Sequence, residues 1–208
     1  MSKLLYPSSE APERSPHAQN PASLRDDARS SVIPLSALSA RVRMEGYFKP
    51  TWMAGLCGGL SERHVSIERV HATRSADGAW HAELDVSPPS TLDLASVPYV
   101  ELADADFRTE LGALQLESFQ LTESDDHDGS LRLSFEAPDS LGLLGRVLGM
   151  LAMMGLFPVA MQIETRGGRA RDTLWLSGMG RAAPSGQARQ NLERTLHSML
   201  KRSRPAIA

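Results

Sequence analysis

The chain has 208 residues, 41% of them hydrophobic and 23% charged, enough apolar side chain for one large globular domain or two small ones. The 22 lysines and arginines stand against 25 aspartates and glutamates, a net charge of −3 that argues against nucleic acid or an anionic membrane as partner. No apolar run reaches the roughly 18 residues of a membrane span, the start lacks the apolar stretch of a secretory signal, and the single cysteine, Cys57, excludes an internal disulfide framework; together these features fit a cytoplasmic protein.

Residues 1–31 are rich in Pro, Ser, Ala and charge, with few groups to offset the entropy of ordering, so they read as a disordered tail. A first module is expected over 38–124. Ala40 to Gly46 alternates with Val42 and Met44 on one face, a half-buried strand. Thr51 to Arg63 carries Trp52, Met53, Leu56 and Leu60 at helical spacing, with Thr51 placed to cap the helix. His64 to Arg74 reads as a strand, Ser75 to Gly78 as a turn, and Trp80, Ala82, Leu84 and Val86 as the strictly alternating return strand. A second helix between Thr91 and Leu111 is interrupted by Pro98 and should occupy one side of it. Leu114 to Thr122 is expected to close this first sheet, and Asp125 to Gly129 reads as a polar linker.

A second module is expected over 129–204, in the same order. Ser130 to Ala137 is a strand, Leu141 to Met154 an apolar-striped helix, Phe157 to Arg166 a strand, Gly167-Gly168 a turn and Ala170 to Ser177 the return strand. Gln187 to Lys201 follows as a helix with Leu192, Leu196 and Leu200 on its apolar face. Laying Ile67–Arg74 on Val159–Arg166, an offset of 92, matches Thr73-Arg74 with Thr165-Arg166 and Leu56 with Leu148. The repeated order predicts an α+β protein with helices on one face of antiparallel sheet.

The stretch Ala137-Pro-Asp-Ser-Leu-Gly-Leu-Leu-Gly-Arg-Val-Leu148 resembles the first turn and helix of an ACT domain. Asp139, Gly142, Leu143 and Leu144 match the family form, and Leu141 stands where proline is usual. Ile163 to Leu174 is similar to the family's central hairpin, most of all to the ACT modules at the end of the bifunctional uridylyltransferase of nitrogen control. The likeness covers roughly 130–200. The loop of the first module departs from it: Tyr47 replaces the aspartate and the Pro-Gly pair is absent, which puts ligand binding there in doubt. The resemblance implies two ferredoxin-like βαββαβ modules, pairing of modules into wider sheets, and sensing of a small molecule, often an amino acid, without catalysis. Glutamine is the ligand that the nitrogen-control likeness brings forward.

Asp139, Ser140, Leu141, Gly142, Leu143 and Leu144 form the candidate ligand site, because a helix N-terminus offers N–H groups and a positive dipole end to a carboxylate, and Gly142 admits close approach. The competing explanation is that Asp139 or Ser140 caps the helix and Gly142 eases packing. His71, His81 and Glu83 lie on one hairpin, but the six histidines lack metal-ligand spacing and a solvated strand face explains them. Cys57, well inside its helix, reads as a buried structural thiol. Arg166, Arg169 and Arg171 make either a basic turn for an acidic partner or an ordinary solvated hairpin tip. Gly142, Gly145 and Gly149 point to close helix packing, and Met150, Met153 and Met154 give that helix more apolar circumference than one sheet can cover, which calls for a second partner.

The reading is a non-enzymatic regulatory protein without cofactor or metal, binding an amino acid and forming a homodimer, with a protein partner as a further option. The alternative is a structural adaptor whose modules lack a ligand pocket; a third option is an enzyme built around His71, His81 and Glu83. Pro205 follows the last helix, so the second module is expected to lack its final strand, its edge being completed by Leu114–Thr122 or by another subunit.

Overall fold

The structure is a computed structural model that describes residues 27–89, 92–106, 114–127 and 129–200. Residues 1–26, most of the expected tail, and 201–208, with Pro205, lie outside the described residues. The elements are β1 (Arg29–Ser36), β2 (Ser39–Gly46), α1 (Trp52–Glu62), β3 (Ser66–Arg74), β4 (Trp80–Ser87) and α2 (Tyr99–Asp104), then β5 (Ser118–Glu123), β6 (Leu131–Pro138), α3 (Leu143–Met153), β7 (Phe157–Arg166), β8 (Arg169–Ser177) and α4 (Gly186–Met199).

All eight strands join one antiparallel sheet in the order β1-β2-β4-β3-β7-β8-β6-β5. Alternation sets its two faces. Val42, Met44, Val70, Ala72, Leu84, Val86, Leu133, Met161, Leu174 and Leu176 are buried, under a helical layer whose inward residues include Leu56 and Leu60 of α1, Leu148 and Leu151 of α3, and Leu192 and Leu196 of α4. These residues form one continuous core across both halves. The other face carries cross-strand ion pairs: Asp85 accepts from Arg41 Nε (2.7 Å) and Arg69 Nη1 (3.2 Å), and Glu83 from Arg43 Nε (2.8 Å). Such pairs suit a solvated sheet face. Among the described residues no helix is long and apolar enough to cross a membrane.

Three features differ from the sequence expectation. The first strand, β1, begins at Arg29, inside the stretch assigned to the tail, and its sequence RSSVIPLS is almost wholly exposed. An edge strand held by backbone pairing to β2 needs little apolar alternation, so composition alone does not reveal it. Second, β5 does not close the first sheet; it pairs with β6, Phe119 opposite Phe135 and Leu121 opposite Leu133. This is the option in which Leu114–Thr122 completes the edge of the second half. Each half therefore runs ββαββα rather than βαββαβ: the place beside β2 or β6 that a last strand would fill is taken by the strand just before it, at the low loop-closure cost of a hairpin. Third, from the first helix into the strand after it the halves correspond at a spacing of 91, not 92. The two eleven-residue helices α1 and α3 begin at Trp52 and Leu143, β3 and β7 at Ser66 and Phe157, and a register shift falls between Ile67 and Arg69 in one half and between Pro158 and Ala160 in the other.

The halves meet through β3 and β7, Val70 opposite Ile163 and Ala72 opposite Met161, and through packing of α1 on α3. Met150 is buried in that layer whereas Met153 is exposed. Close helix approach is carried by glycines of α1: a Cβ on Gly55 would lie 2.8 Å from the carbonyl oxygens of both Leu102 and Ala105, around α2. Helix α2 starts just after Pro98, and Lys49 Nζ donates to its terminal carbonyls, Asp104 O and Ala105 O, at 2.7 Å each. Gly55→Ala should therefore destabilise the protein: overpacking against backbone costs about 1–3 kcal/mol, more than the ~1 kcal/mol that alanine gains in helix propensity. Chemical denaturation checks this, and an unchanged or raised midpoint would show that α2 yields freely.

Candidate ligand site between the two halves

Strand β6 ends at Pro138, and Asp139 to Gly142 carry the chain into α3. The Asp139 N–H donates to Gly168 O (2.9 Å), tying this loop to the β7–β8 turn. Gly142 takes the left-handed conformation (φ 77°) at the helix N-cap, and no side chain caps α3. Ser140 Oγ instead accepts from Arg146 Nη2 (2.7 Å). Capping thus does not account for Asp139 and Ser140. Thr51 stands at the N-cap of α1, but it too makes no capping bond there.

The loop faces the other half of the molecule. A Cβ on Gly142 would come within 3.2 Å of Ser61 Oγ on α1. Between them lies a cavity of about 50 Å³, room for several water molecules. Asp139, Ser140, Leu141, Gly142, Leu143 and Leu144 all line it. So do Cys57, Ser61 and Ser66 from the first half, and Ile163, Thr165, Ala170 and Asp172 from β7 and β8. The first-half residues and Asp172 were not anticipated. Asp172 had a signal: it occupies an inward position of the phase that runs through Ala170, Leu174 and Leu176.

Asp172 is 2% exposed, and its buried Oδ1 has no hydrogen-bond partner. Burial above all pushes its carboxyl up to about 7; the charge of Asp139 adds to this, and a backbone N–H of Glu164 acts against it. The Cys57 thiol is likewise pushed up, by burial first and then by Asp172, so it is no nucleophile at neutral pH. None of the described residues lining the cavity is Lys, Arg or His. Elsewhere, His71 and His81 are exposed on the ion-paired face, and no three metal-ligating side chains converge among the described residues. Arg166, Arg169 and Arg171 pair with Glu164, Glu117 and Glu136, which leaves no concentrated basic patch at the hairpin tip. Wider hollows of 270 to 440 Å³ are open troughs over the outer sheet face and the β5–α4 edge.

The spacing of 91 produces a second cavity from equivalent elements: Pro50 to Ala54 in place of Leu141 to Gly145, Leu148 and Ala152 in place of Cys57 and Ser61, and Leu156 to Pro158 in place of Val65 to Ile67. It measures only about 10 Å³, one water at most. Trp52 and Trp80 fill the region, 1% and 2% exposed, with ring centroids 5.3 Å apart, and Phe48 stacks on Trp52 at 5.0 Å.

Neither a comparison with protein-family models nor one with curated proteins finds a match. Among solved structures, aspartate kinase from Synechocystis is similar at 14% identity and a TM-score of 0.48, over 78% of this chain and 27% of that one. The chain thus spans about a quarter of that protein's length.

The buried acid has a stability signature. An unfolded aspartate titrates near ~4 and Asp172 in the folded state at about 7. Between these values the folded chain holds a proton that the unfolded chain has lost, so this group's contribution to stability falls as pH rises through the window and is flat above it. Asp172→Asn removes the penalty. The melting temperature of the variant minus that of the wild type should grow from about pH 5 to about pH 8. A difference independent of pH would contradict the raised titration.

Proposed function

We propose that this chain is a non-catalytic regulatory protein that senses an amino acid in the cavity between its two halves. The observation that carries this reading is the meeting of Asp139–Leu144, at the N-terminus of α3 that no side chain caps, with α1 of the other half around a cavity of mixed polar and apolar lining. A carboxylate would be favoured at the unpaired N–H groups and positive end of α3. Walls from both halves let a bound molecule bias how the halves meet, as regulation requires. The resemblance of residues 137–148 to ACT domains supplies the amino-acid class, and the nitrogen-control likeness makes glutamine the first compound to try. The cytoplasm is the compartment in which such a sensor would meet its ligand.

An adaptor lacking any ligand pocket is favoured by one observation, the filling of the second cavity by Trp52 and Trp80. On the proposed reading, that half holds the structure and the other binds, so one molecule binds per chain. Thermal shift against the twenty amino acids should reveal at least one that stabilises the protein, and calorimetry should give one site per chain. No shift at millimolar concentration would select the adaptor.

The chain is further proposed to form a homodimer. Ile33 and Leu35 on the edge strand β1, with Leu38 in the turn after it, are large apolar side chains left exposed, as is Met153 on α3. A two-fold dimer is the commonest cover for such surface. Light scattering after size exclusion should give twice the chain mass at tens of micromolar, and a strictly monomeric mass rejects the dimer.

A further inference from the structure

We infer that Asp172 is the anchor for a primary ammonium group, so that the molecule taken up between the halves must carry a protonated amine, which points inward while any carboxylate stays at the first turn of α3. This rests on the reading of the cavity as a ligand site, and it adds which chemical group the site selects.

A buried carboxylate oxygen without a partner leaves a large desolvation cost unmet. Asp172 Oδ1 is such an atom, and it belongs to a residue that lines the cavity. A second carboxylate, Asp139, lines the same space, and no described lysine, arginine or histidine does. The guanidinium of Arg146 is turned to Ser140 and is not part of the wall. A buried acid in a small cavity with a second, exposed acid at its rim and no protein cation selects a ligand cation. The hydroxyls of Ser61, Ser66 and Thr165 accept from the remaining ammonium hydrogens, for which three donors need three acceptors. A volume of about 50 Å³ admits a primary ammonium and a few heavy atoms. A bulky quaternary ammonium would call for an aromatic cage, and no described aromatic residue lines this cavity.

Binding then moves a proton. Near neutral pH Asp172 holds a proton for part of the time because burial raises its titration to about 7. An arriving ammonium favours the carboxylate, so the proton leaves to solvent as the ion pair forms. The groups facing Asp172 are few. The Cys57 thiol comes from α1 and, with its titration raised by burial, stays protonated; Asp139 comes from the β6–α3 loop; β7 offers a backbone N–H of Glu164 beside the neutral Ile163 and Thr165; β6 offers Phe135. On β8 itself, Arg171 is paired with Glu136 on the opposite face.

The test uses the full chain and three compound sets: amino acids, the primary amines left when the carboxylate is removed, and the acids left when the amine is removed, with ethylamine and propionate as the smallest pair. Titration calorimetry in buffers of different ionisation heat reads affinity and proton release together. Amine-bearing compounds should bind and release a proton at about pH 6, the release vanishing by about pH 9. Asp172→Asn, which should fold at least as well as the wild type, should lose roughly tenfold or more in affinity. The inference is overturned if propionate and its relatives bind as well as the amines, if no amine binds, if the wild type releases no proton, or if the variant binds undiminished. Amines binding with amino acids no better would uphold Asp172 and remove the amino-acid reading; amino acids and deaminated acids binding alike, with the amines silent, would keep that reading and remove Asp172.

Discussion

The pairing of β3 with β7 is the constraint on which the rest of the molecule depends. It turns two four-stranded halves into one sheet and, because the pair is antiparallel, relates them by an approximate two-fold axis. That axis sets the end of α1 beside the start of α3, and the start of α1 beside the end of α3, so every feature at the junction arises twice. The register is well specified: a slip of one residue would turn either Val70 and Ala72 or Met161 and Ile163 out of the shared core. No linker or small interface offers comparable rigidity, since this joint is made of backbone hydrogen bonds inside a sheet.

Side chains then break the symmetry that the backbone creates. Thr51, with φ −99°, occupies the place of Gly142, with φ 77°. Trp52, at the place of Leu143, is buried like it but is far larger, and it fills space that stays open in the other half. Trp52 and Trp80 bury large apolar surfaces, the kind of residue whose truncation costs about 3–5 kcal/mol. At the twin site the chain keeps an aspartate whose ionised form has no partner for one oxygen. One half is filled by large apolar side chains, and the other leaves a buried polar atom without a partner.

Much of this was legible in the residues. The strict alternation of β4, β6 and β8, and the apolar stripes of α1, α3 and α4, located those elements to within a residue or two. The loop at Asp139–Leu144 was legible through glycine and acid beside a helix start. Other features escaped for physical reasons. Strand β1 is an exposed edge, so it carries almost no hydrophobic period. Periodicity says that a segment is a strand but not which strand lies beside it, so two options stood for β5, closing the first sheet or completing the edge of the second, and the structure has the latter. The matching Thr-Arg pairs suggested an offset of 92, but α1 and α3, and the starts of β3 and β7, keep a spacing of 91, down to the shared register shift, which no residue identity betrays. Cys57, Ser61 and Ser66 belong to the site only because β3 pairs with β7, a contact between segments about ninety residues apart.

The position of Asp172 gives the proposed ligand leverage that a surface site would lack. Its carboxylate belongs to β8 of one half, while Cys57 and Ser61, which close the space above it, belong to α1 of the other. A cation paired there removes an unmet desolvation cost in a low-dielectric setting, where charge pairing is strongest. On the proposed reading that free energy would be differential, depending on α1 staying packed over the loop that leads into α3. The β3–β7 ladder cannot yield without breaking several backbone hydrogen bonds, so the element left to respond is the helical layer, where α1 meets α3 through side-chain packing alone. Helix shifts of an ångström or two are the usual form of such a response. The same layer carries the exposed Met153 at the end of α3, and a change at the cavity is therefore one helix away from surface on which a partner could read it.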